Sequence, residues 1–81
     1  ALAHLSARHA AAVRQHMQFY RACLERLGLV PSDAIVNAAV QIEWLWYAKR
    51  MRRADERRYC LQCALEIDPR SLAARQALAA I

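Results

Sequence analysis

Apolar residues recur at helical spacing in four segments of the chain. In the first segment they alternate three and four positions apart, which is the spacing of one helix face; they are Val13, Met17, Tyr20, Leu24 and Leu27. Alanine, leucine and arginine dominate, and there are one glycine and two prolines, so helix is favoured almost throughout. The pattern predicts an all-α fold without sheet, with helices over residues 2–27, 33–53, 55–67 and 72–81.

The second helix differs from the others because it is apolar on two faces. One stripe consists of Val36, Val40, Trp44, Tyr47 and Met51, and the stripe beside it consists of Ile35, Ala39, Ile42 and Trp46. A helix of this kind either packs between neighbours on both sides or keeps one face open for a ligand. The sequence leaves these two arrangements open.

Two breaks in the pattern separate the helices clearly. Gly28 accepts the left-handed conformation that ends many helices, and Ser32 is placed to cap the next one after Pro31. Pro69 stops the third helix in the same way, and Ser71 is placed to cap the last.

The third connection has neither glycine nor proline and is inferred from charge. Residues 49–58 read KRMRRADERR, in which the basic side chains come first and the acids follow. Cations suit the end of one helix, and Asp55 and Glu56 suit the start of the next. We therefore expect a tight turn near residues 52–55, with one continuous helix over residues 33–67 as the alternative.

Length and composition restrict the class of protein. The 81 residues make one small domain over residues 1–81, either complete or part of a longer repeat array. Three cysteines, an odd number, and no recognisable secretory leader favour reduced thiols and a cytoplasmic location. The longest apolar run contains Gln41 and Glu43 and is too short to span a bilayer. The alanine and arginine usage suggests a bacterial source.

Residues 38–69 resemble a tetratricopeptide repeat, the helix-turn-helix unit of about 34 residues. The clearest match is YCLQCALEIDP, with Leu61 and Ala64 at the positions of a large and a small residue and Asp68-Pro69 closing the repeat. The sequence departs from the family where Leu45 is bulky and where Arg57 replaces the usual alanine. The flanking segments resemble partial repeats.

The resemblance implies a non-catalytic scaffold, adaptor or chaperone-type subunit that binds proteins. Such repeats bury a complete core only with neighbours on both sides, so we expect a protein partner or a homo-oligomer. The groove positions of the family correspond here to Ala39, Ile42, Glu43 and Trp46, with Lys49 and Arg50 further along. The alternative is that the long first helix covers Ile42 and Trp46. Some members hold a terminal carboxylate with Lys, Asn and Arg residues. That clamp is absent here, because the matching positions are Ala39, Ile42, Glu43 and Trp46, followed by Ala73 and Ala77 in the last helix.

Catalytic, metal and cofactor chemistry have little support in the sequence. The sequence contains no glycine-rich phosphate loop, no nucleophile with a matched base and no pair of carboxylates within one helix. None of the usual catalytic patterns therefore points to an enzyme. Cys60 and Cys63 would supply two zinc ligands, but two more are missing at suitable spacing. We therefore expect small buried thiols, and we expect the histidines to lie on helix surfaces.

Nucleic-acid binding is the alternative from another class of function. The basic cluster consists of Lys49, Arg50, Arg52, Arg53, Arg57 and Arg58. It contributes to a net charge of +5 and follows two tryptophans, so it offers phosphate contacts and stacking surfaces. Against this, Asp55 and Glu56 interrupt the cluster, and no known nucleic-acid motif frames it.

Overall fold

The fold is all-α, as the sequence predicts. The computed structural model describes the backbone of residues 2–81 and the side chains of residues 7–81. Over this range it contains four helices and no strand: α1 (Leu2–Arg26), α2 (Asp33–Arg50), α3 (Ala54–Ile67) and α4 (Leu72–Ala79). The predicted starts are accurate to one residue, while α2 ends three residues before the predicted position and α4 ends two residues before it.

The predicted caps form where α1 gives way to α2. Gly28 has a φ of 77°, and its N–H donates to the carbonyl of Glu25 over 3.0 Å. The N–H of Leu29 donates to the carbonyl of Leu24, also over 3.0 Å, which completes the double hydrogen bond typical of a glycine-ended helix. Ser32 then accepts a hydrogen bond from the N–H of Ile35, so α2 begins where the sequence predicts.

The connection between α2 and α3 is a break rather than a continuous helix. Met51 is extended, with φ −75° and ψ 135°, and α3 begins at Ala54. Arg53 has no side-chain cap but donates to the Asp55 carboxylate over 3.0 and 3.2 Å. The alternative of one helix over residues 33–67 is therefore wrong. The prediction that α2 reaches residue 53 is also wrong, because residues 51–53 are needed to reverse the chain.

Helices α2 and α3 lie side by side in opposite directions. Near the turn, Ala48 of α2 is buried together with Cys60 and Leu61 of α3. At the far end, Asn37 of α2 lies close to Ile67 of α3. The other helices cover this pair: α1 packs on both α2 and α3, and α4 packs on α3.

Over residues 2–81, no helix has both the length and the apolar character that are required to cross a bilayer.

Candidate functional site

The second apolar stripe of α2 is open to solvent. Ile35, Ile42 and Trp46 are 58%, 56% and 56% exposed, and Ala39 between them is partly buried. The neighbouring stripe is buried in its first half, where Val36 and Val40 are completely buried, whereas Tyr47 further along is 38% exposed. The first helix therefore does not cover Ile42 and Trp46. We call the stripe of Ile35, Ala39, Ile42 and Trp46 the open face.

The contact between α1 and α2 lies beside this face. His16 of α1 forms an ion pair with Glu43 when the imidazole is protonated, and its ring lies 5.6 Å from the Trp44 ring. These residues lie on the flank of α2 beside the open face. Glu43, a predicted groove residue, is therefore held at the rim by α1.

The basic end of α2 borders the open face. The Arg50 guanidinium carbon lies 4.6 Å from the centre of the Trp46 ring, within the range of a cation–π contact. Lys49 is exposed beside it. The six predicted binding residues thus divide into apolar groups, Ala39, Ile42 and Trp46, and a polar rim, Glu43, Lys49 and Arg50.

Much of the basic cluster is used within the protein. The Arg57 Nη1 donates to the carbonyl oxygens of Met51, over 3.3 Å, and Arg52, over 2.6 Å, so it caps the end of α2. Arg53 pairs with Asp55. Among the described residues, Lys49, Arg52 and Arg58 have no such side-chain partner.

The prediction that the histidines lie on helix surfaces is wrong for two of them. His9 is only 4% exposed, and its ring lies 4.6 Å from that of Tyr59. His16 packs on Trp44 and stacks at 6.3 Å on Tyr47. Both histidines fall on the apolar stripe of α1, four residues before and three after Val13, which is the signal that would have placed them. The side chain of His4 lies outside the described part of the chain.

Two of the pockets that adjoin the helix pair have mostly apolar walls. One, of about 470 Å³, has the aromatic residues Trp44, Tyr47 and Tyr59 in its wall together with Met51, Cys60 and the acids Asp55 and Glu56. The other, of about 390 Å³, lies between α2, α3 and α4, with Lys49 and Arg57 at its edge. Their walls are mostly apolar, so each would favour an apolar group.

The two cysteines of the CxxC motif are buried, as the sequence predicts. Cys60 is 4% exposed and Cys63 is fully buried. Burial raises the pKa of the Cys63 thiol from 9.0 to about 12, while a hydrogen bond with Tyr59 acts in the other direction. Since the thiolate is the reactive form, Cys63 is a poor nucleophile in the folded protein.

We expect alkylation to distinguish the cysteines. With iodoacetamide near neutral pH, Cys23, which is only partly buried, should react at least about 10-fold faster than Cys63, and urea should remove the difference. Mass spectrometry of peptides gives both rates. Equal alkylation rates for Cys23 and Cys63 in the native protein would contradict the burial of Cys63.

The raised pKa of Cys63 also predicts how stability depends on pH. The contribution of this thiol to the free energy of unfolding should be complete below pH 9 and should be lost as the pH rises towards 12.

Comparison with known proteins gives no family assignment. No protein-family model, curated protein or solved structure matches this chain. The resemblance to tetratricopeptide repeats therefore depends on residues 38–69 alone.

Proposed function

We propose that this chain is a non-catalytic protein–protein interaction module with a tetratricopeptide-like helix arrangement. It binds a protein partner, or a second copy of itself, through the open face of α2 and its polar rim. The observation that carries the proposal is that Ile35, Ile42 and Trp46 are each more than half exposed on one 18-residue helix.

The energetics of the open face support a binding role. Fully burying a fully exposed large apolar side chain contributes about 1.5–3 kcal/mol, and Ile35, Ile42 and Trp46, each a little more than half exposed, would gain about half of this. All three side chains lie on one regular helix. Because this helix already exists in the free protein, its backbone loses little conformational entropy on binding. Tryptophan and arginine are also frequent binding anchors, and here Arg50 lies over Trp46.

The packing of α1 is compatible with a repeat-like organisation. α1 contacts both helices of the α2–α3 pair, as the last helix of a preceding repeat would. In that arrangement the open face of α2 would line the groove in which such modules hold a peptide or a helix.

Nucleic acid is the weaker candidate. Arg57 and Arg53 are occupied with the carbonyl groups and carboxylates around the turn. Arg50 lies on Trp46, so this indole is less available for stacking on a base. Phosphate contacts would fall mainly to Lys49, Arg52 and Arg58.

Site-specific photo-cross-linking tests the proposed function. We expect a benzophenone amino acid at Ile42, introduced into the chain in the cells that produce it, to form protein adducts on irradiation. The matched control carries the same group at Gln76, an exposed position on α4, and should form few adducts. Gel mobility and mass spectrometry reveal the adducts. No adduct from position 42, or equal adducts from both positions, would contradict binding through the open face.

A further inference from the structure

We propose that the open face of α2 binds the same face of a second copy, with the two α2 helices antiparallel about a two-fold axis. This inference depends on the proposed function, because it names the partner for the same surface. It follows from the spacing, size and exposure of four residues.

The spacing of the open face reads the same in both directions. Its residues, Ile35, Ala39, Ile42 and Trp46, are separated by four, three and four positions. When two such helices are placed antiparallel, Ile35 of one copy lies opposite Trp46 of the other. Ala39 likewise lies opposite Ile42 of the other copy. A two-fold interface requires this self-complementarity, because one patch must serve both sides.

The sizes of the paired residues suit close packing. Ala39 is small and lies opposite the larger Ile42, so the helix axes can approach to about 8–10 Å. Steps of four and three also keep an apolar stripe on one side of a helix, as in coiled coils. Each of the two central layers therefore pairs a large side chain with a small one, while the outer layers pair Ile35 with Trp46.

Charge does not obstruct this arrangement at the centre of the face. Lys49 and Arg50 follow the last apolar position and remain at the ends of the paired helices. Glu43 is held on the flank by His16. The net charge of +5 on each copy opposes association at low salt, and about 0.15 M salt screens charges beyond roughly 8 Å.

The area available predicts a weak dimer. An 18-residue helix is about 27 Å long, so one helix face from each copy buries less than the roughly 1,600 Å² of a standard interface. We expect a dissociation constant of about 1–100 μM, the range of small transient interfaces.

Sedimentation equilibrium with paired variants tests the geometry. We expect the wild-type chain to be a dimer at about 200 μM and increasingly monomeric on dilution. Ile35→Glu and Trp46→Lys alter layers that face each other, so each variant alone should be monomeric. A 1:1 mixture should form a heterodimer, because it sets the introduced carboxylate against the introduced ammonium group in one outer layer and keeps the native pair in the other. Leu72→Glu, at a 66% exposed residue of α4, should dimerise like the wild type.

Three results would overturn the inference: a wild-type monomer at every concentration, a dimer that survives either α2 variant, or a mixture that stays monomeric. Circular dichroism first establishes that each variant keeps its helix content. The proposed function is tested by a different result from the one that tests the self-pairing. A monomeric wild type that still forms adducts with another protein through position 42 would retain the interaction module and exclude the self-pairing.

Discussion

Replacing Leu61 with alanine should lower the free energy of unfolding by about 2–5 kcal/mol. Leu61 is 3% exposed and packs in one cluster with Ala48 and Cys60, against which Leu78 of α4 also packs. The truncation enlarges the pocket that already lies between α2, α3 and α4, where Leu61 forms part of the wall. Because an 81-residue domain has a total stability of about 5 kcal/mol, the substitution should remove a large part of that stability.

Urea denaturation followed by circular dichroism measures this effect. The matched control is Leu72→Ala, since Leu72 is 66% exposed and should cost less than about 0.5 kcal/mol. Similar losses from both substitutions would show that the cluster around Leu61 is not the core of the domain.

Replacing Arg57 with alanine should cost about 1.5–3 kcal/mol, the range for hydrogen bonds to a charged group. Its guanidinium donates to the carbonyls of Met51 and Arg52, which have no further turn of helix to satisfy them. The positive charge also lies at the negative end of the α2 dipole. The substitution should therefore loosen the turn between α2 and α3 as well as lower stability.

The neighbouring Arg58 provides the control for this prediction. It carries the same charge one residue later, is exposed and has no hydrogen bond or ion pair among the described residues. Arg58→Ala should change the free energy of unfolding by less than about 0.5 kcal/mol. Thermal and urea unfolding of the two variants give the comparison. Equal effects would mean that general charge, rather than the contact to the carbonyls, determines the role of Arg57.

The open face and the core are separate parts of the structure. Leu61 and Arg57 stabilise the fold where α2, α3 and α4 meet, whereas Ile35 and Trp46 project into solvent from α2. Substitutions at Ile35 or Trp46 should therefore alter association while leaving stability nearly unchanged. This separation allows binding to be tested in folded variants.

The helix ends were predictable where a residue imposes its own local geometry. Gly28 takes a positive φ that other residues avoid, and Ser32 and Ser71 accept hydrogen bonds from the N–H three residues later. The turn between α2 and α3 was predicted from the order of the charges and their helical spacing, and its position was accurate to a few residues. Its exact start was not predictable, because residues 51–53 contain neither glycine nor proline to fix the end of α2.

The roles of the polar residues depended on the neighbouring helices. His9 and His16 looked like surface residues, yet they pack on Tyr59 and Trp44, because an imidazole ring has apolar faces and both fall on the core side of α1. Arg57 looked like part of a basic cluster, but α2 needs it as a cap.

The sequence by itself determined an all-α fold, the four helices and the two apolar stripes of α2, because helical periodicity and capping act over a few residues. Only the tertiary structure decided which stripe is buried. Val36 and Ile35 begin neighbouring stripes of similar hydrophobicity, and periodicity cannot rank them. The choice depends on how α1 and α3 pack on α2: Val36 is completely buried, while Ile35, Ile42 and Trp46 stay exposed.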